Sequence, residues 1–104
     1  MQIQVNAGRH IQGGQSLEEF FINMARESLE RFGSHITRVE INIKDQNADK
    51  QGNNDKSCTI EARLAGLKPT AVTNEDSSVE AAVSGALDKL TRSLNKTIGR
   101  LENQ

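Results

Sequence analysis

Four cations near the carboxyl end have the spacing to do chemistry together. Lys89, Arg92, Lys96 and Arg100 stand 3, 4 and 4 residues apart. On a helix turning about 100° per residue they fall within roughly 80° of one another. Such a row is suited to holding anions, phosphates above all, because Lys and Arg donate charge-assisted hydrogen bonds to them. Asp88 and Glu102 flank the row without interrupting it. The competing reading is a solvated helix face, with cations near a C-terminus also favouring the helix dipole.

The other chemically suggestive residues lead nowhere comparable. His10 and His35 have no Cys or carboxylate at metal-ligand spacing, and surface histidines are expected. The Gly8–Gly14 segment is glycine-rich but lacks the Gly-Lys-Ser/Thr ending of a phosphate loop. Asp45, Asn47 and Asp49 imitate the start of a calcium loop. Lys50 then stands at the turn glycine position and Lys56 at that of the bidentate Glu, so a solvated loop is expected. Cys58 falls on the inward side of a strand pattern and reads as a small core residue. No Ser/His/Asp or paired-carboxylate arrangement emerges. The expectation is a protein that is not an enzyme and needs no metal or cofactor.

Composition sets the frame. The chain has 104 residues, no Trp or Tyr, three Phe and a net charge of −1. One domain over residues 1–104 is expected, with an aliphatic core. A slightly acidic chain binds nucleic acid only if its positive charge is concentrated locally. A single cysteine, no secretory pattern at the start and no apolar run near 20 residues point to a cytoplasmic protein with no membrane partner.

The elements that must carry the cations follow from periodicity. Ile3 and Val5 alternate with polar residues, as do Val39, Ile41 and Ile43, and then Cys58, Ile60, Ala62 and Leu64. A shorter strand is expected around Thr70–Thr73, with Pro69 suited to an edge. Residues 45–56 have almost nothing to bury and form a hairpin loop. Ser16–Glu19 predicts a capping box, followed by a helix burying Leu17, Phe20, Phe21, Met24 and Phe32 and stopped at Gly33. Ser77–Glu80 predicts a second box. Behind it Val79, Val83, Ala86, Leu87, Leu90, Leu94 and Leu101 make one apolar stripe. The order β-α-β-β-β-α gives a two-layer α+β sandwich: a four-stranded mixed sheet, its first two strands parallel, with both helices on one face.

In detail the chain resembles the short ribosome hibernation-promoting factors and the related ribosome-associated inhibitor proteins. The resemblance runs through the Met-Gln-Ile start, Leu29-Glu30-Arg31-Phe32 and Ile36-Thr37-Arg38-Val39. It is most specific from Ala81 to Lys96, where Asp88-Lys89-Leu90 is followed by Arg92, Leu94 and Lys96 at the family's intervals. It implies a fold similar to a double-stranded-RNA-binding domain with an added strand. It further implies binding to the small ribosomal subunit in the messenger and transfer RNA channel, which blocks initiation and preserves idle ribosomes under stress. Lys89, Arg92, Lys96 and Arg100 then become contacts to ribosomal RNA phosphates, joined by Arg26 and Arg31 of the first helix. The chain departs from the family pattern at Ala25 and Ser28, where lysines are usual. It also has Ser78-Val79-Glu80 in place of an Asp-x-Tyr, and Glu102-Asn103-Gln104 in place of a basic tail. A relative of this fold acting as a protein-binding module is the alternative, and an exposed strand would allow weak self-association.

Overall fold

The computed structural model describes residues 1–8, 11, 13–46 and 55–102. His10, the loop positions Asn47 and Asp49, and Asn103 and Gln104 lie outside the described residues. The elements are β1 (Gln2–Ala7), α1 (Gly14–Leu29) with a short 3-10 turn (Glu30–Phe32), β2 (Ile36–Asp45), β3 (Lys56–Leu64), β4 (Thr70–Asp76) and α2 (Val79–Glu102). The sheet order is β1-β2-β3-β4. β1 runs parallel to β2, and both other pairs are antiparallel. The expected α+β sandwich is therefore present.

Alternation explains the core. Val39, Ile41 and Ile43 of β2 and Cys58, Ile60, Ala62 and Leu64 of β3 are buried. The strand period of two puts all of them on the side covered by the helices. α1 contributes Phe21, Ala25 and Leu29. α2 contributes Ala82, Val83, Ala86, Leu87, Leu90, Leu94 and Ile98. These residues form one continuous cluster.

Several helix details differ from expectation. α1 starts two residues before Ser16, capped by Gly13 at φ 128° with no side-chain cap. Gly13 and Gly14 both adopt positive φ, which turns the chain into the helix early. A Cβ on Gly13 would lie 2.6 Å from that of Leu17. Glu19 accepts a hydrogen bond from Gln15 (3.3 Å) instead of closing a box. Adjacent helical residues point about 100° apart, so only one of the two phenylalanines can face the sheet. Phe21 does, and Phe20 is half exposed, its ring meeting Phe21 edge-on at 5.2 Å. Gly33 has φ −55°, so the first helix ends by tightening into the 3-10 turn and needs no left-handed residue.

At α2 the cap is Ser78, one residue later than expected. Its hydroxyl accepts from the Ala81 N–H (3.1 Å), while the Ser77 N–H donates to the Asp76 carboxylate (2.7 Å). Glu80 is thereby displaced from the box position. Ile98 takes the last place in the apolar stripe, and Leu101 is exposed.

Gly85 has a packing reason to be glycine. A Cβ there would sit 2.2 Å from the side-chain amide of Asn74 on β4. That amide donates to the carbonyls of Ala81 (3.5 Å) and Ala82 (3.2 Å), tying the sheet to the first turns of α2. Gly→Ala inside a helix ordinarily stabilises by up to about 1 kcal/mol. Gly85→Ala is expected to destabilise instead. Asn74→Ala should cost about 1–3 kcal/mol, and adding Gly85→Ala to it should then cost less than in the wild type. Urea unfolding of the two single variants and the double variant measures this coupling.

Burial pushes the Cys58 thiol from its ordinary value near 9 up to about 12. Between those values the folded chain keeps a proton that the unfolded chain has lost. Stability therefore falls as pH rises through that window, by about 1.4 kcal/mol per unit. Well below pH 9 both states are protonated and the slope from this group vanishes. The stability gap between wild type and Cys58→Ala, which has no thiol to titrate, should be constant well below pH 9 and shift against the wild type as pH passes through and above it, as urea midpoints would report.

Candidate nucleic-acid interface

The buried stripe of α2 fixes which way its other residues point. With the stripe against the sheet, Lys89, Arg92, Lys96 and Arg100 are all exposed. Lys89 leans to one side, where its Nζ donates to the Thr73 carbonyl of β4 (2.8 Å). Arg92 Nε donates to the Asp88 carbonyl one turn back (3.3 Å). Both acceptors are neutral backbone groups. Among the described residues none of the four cations pairs with a carboxylate. Asp88 takes part through its carbonyl, and among the described residues no ion pair involves its carboxylate. The crest of α2 therefore keeps its charge.

Arg31 joins this face from the 3-10 turn that follows α1. Its Nη2 donates to Asn95 Oδ1 (3.0 Å), and its guanidinium carbon lies 4.6 Å from the Phe32 ring centroid. Two contacts thus hold Arg31 beside α2, with Asn95 three residues on from Arg92. Periodicity assigns Phe32 only to the core and gives Asn95 no role, because their part in holding Arg31 depends on how the two helices meet. Arg26 is not part of the group. It lines a shallow depression with Met1, Gln2, Ile3, Gln4 and Arg38, on the β1 side of α1. Ala25 is wholly buried, so that position presents nothing to a partner.

The uncovered face of the sheet contrasts with the crest. Arg38 and Arg63 face each other across β2 and β3, as do Glu40 and Glu61. Each arginine is neutralised along its own strand: Arg38–Glu40 at 2.9 Å and Arg63–Glu61 at 3.3 Å. Beside them run uncharged contacts, Asn6 to Asn42 (3.2 Å) and Thr59 to Thr73 (3.0 Å). This face is mixed in sign.

The calcium-loop residues reach a different end. Asp45 and Asp55 both pair with Lys56, at 3.4 and 3.0 Å. The Asp55 carboxylate chiefly, and then Asp45, hold the Lys56 ammonium above its ordinary value against some desolvation. Among the described residues no group of three His, Cys, Asp or Glu could hold a metal ion. None of their helices is long and apolar enough to cross a membrane.

Residues 4–102 match the family model described as sigma 54 modulation protein / S30EA ribosomal protein. The chain belongs to that family. Two solved structures resemble this S30EA-family chain in fold. The N-terminal domain of Protein Y from Thermus thermophilus is 18% identical with a TM-score of 0.71, covering 93% of this chain and 99% of that one. A ribosomal subunit interface protein from Coxiella burnetii is 17% identical with a TM-score of 0.69, covering 95% and 99%. No curated protein matches the sequence. The S30EA fold thus accounts for nearly the whole chain, and its second helix carries the crest.

Proposed function

We propose that this protein binds the small ribosomal subunit in the channel used by messenger and transfer RNA, and so inhibits translation or preserves idle ribosomes. Membership of the S30EA family supports ribosome association. The Coxiella burnetii structure of the same fold is that of a ribosomal subunit interface protein. The observation that carries the reading for this chain is the exposed crest of Lys89, Arg92, Lys96 and Arg100, unpaired with any acid among the described residues.

The crest would act by phosphate contact. Such contacts position a protein on RNA without reading sequence. A-form RNA suits this, because its shape and backbone are more accessible than its base edges. Arg31, steadied by Asn95 and Phe32, would add a contact beside the crest. Arg26 would touch RNA only from the β1 side, at a second place. The overall charge of −1 is no obstacle. At physiological salt, screening acts over about 8 Å, so local charge decides.

Co-sedimentation of the purified protein with small subunits across a salt series tests this. Four phosphate contacts predict that log affinity falls against log salt with a slope of about −3. Reversing Arg92, Lys96 and Arg100 to Glu should abolish binding, whereas reversing Arg63 on the sheet should change little. Binding that ignores salt, or survives the crest reversal, would remove the crest from the account and favour a protein-binding module.

A further inference from the structure

β4 is a free edge of the sheet. An edge strand offers unpaired N–H and C=O groups to any second strand. Lys89 reveals which groups face outward. Its ammonium reaches the Thr73 carbonyl at 2.8 Å from outside the sheet. In an antiparallel pair, residues alternate between those bonded to the neighbour and those turned away from it. Thr73 stands opposite Thr59 on β3 and belongs to the second kind, so its N–H and C=O point to the open side. By the same alternation, so do those of Ala71 and Glu75.

We propose that this edge is a pairing surface for a second copy of the chain, closed by Lys89. Two β4 strands related by a two-fold axis would run antiparallel with Thr73 opposite Thr73. Ala71 would then face Glu75 in both directions, and all outward backbone groups of these residues would find partners. The charges suit this register. The acidic end at Glu75 and Asp76 meets the partner's end bearing Lys68, and no like charges stand directly opposite. Side chains at 71 and 73 are small, which leaves room for close approach. The β1 edge offers no such match, since nothing there marks a two-fold centre.

Lys89 sits at the centre of this arrangement. Its ammonium occupies the carbonyl that the partner's Thr73 N–H would need. Each protomer must give up one charged hydrogen bond before the strands can meet. Lysine at strand edges is a known guard against such pairing. This role for Lys89 is independent of any contact with RNA.

Sedimentation velocity over a concentration series tests the proposal on the full chain. The wild type should remain monomeric where Lys89→Met, which keeps the aliphatic stem and loses the donor, forms dimers. The dimer dissociation constant should fall by about tenfold or more. Lys89→Ala carries the same expectation should the Met variant misfold. Adding Thr73→Pro should restore the monomer, since it removes an N–H that faces outward and leaves the β3 ladder intact. A Lys89→Met or Lys89→Ala chain as monomeric as the wild type overturns the proposal. So does a dimer that is indifferent to proline at position 73.

Discussion

One constraint governs this molecule: the sheet has a single apolar face, and two helices must cover it. Every buried apolar residue of β2 and β3 lies on that side. α2 can satisfy the sheet in only one rotational setting, because its stripe from Ala82 to Ile98 is confined to one flank. Burial at about 25 cal/mol per Å² holds that setting firmly against any preference of the surface residues. The direction of Lys89, Arg92, Lys96 and Arg100 is a consequence. They are exposed together because the leucines between them are not.

Position alone does not make an anion site; the charge must also remain unspent. Here the two faces of the domain divide sharply. On the open sheet face, arginines and glutamates neutralise each other along their own strands at 2.9 and 3.3 Å. On α2, cations bond to backbone carbonyls, which accept hydrogen bonds without cancelling charge. A chain of net charge −1 can in this way present a locally basic surface. Ala25 is closed by burial, so the first helical segment adds to the surface through Arg31 of the 3-10 turn that ends it.

Much of this is legible in the sequence. Strand alternation gave the inward residues of β2 and β3, and helical period gave both the α2 stripe and the opposing cations. What escaped depended on tertiary contact. Phe20 and Phe21 are equally apolar, and only packing chooses the second. The glycine pair at 13 and 14 outranks the Ser16 box because positive φ lets the helix begin earlier. Ser77 and Ser78 are chemically alike, yet Asp76 engages the first and leaves the second to cap. Asn95 and the Lys89 bond to Thr73 join residues 64 and 16 positions apart, which no local pattern announces.

On the reading proposed above, the crest of α2, and not the open sheet, faces ribosomal RNA. A cleavage reagent tethered at single cysteines measures this directly, since the buried native thiol of Cys58 is protected from labelling. Lys96→Cys keeps three crest cations; Asn42→Cys places the reagent on the sheet face. On small subunits, hydroxyl radicals released at position 96 should cut ribosomal RNA along the messenger and transfer RNA channel, with far weaker cutting from position 42. Equal or stronger cutting from position 42, or none from position 96 in a complex that still co-sediments, would contradict the account.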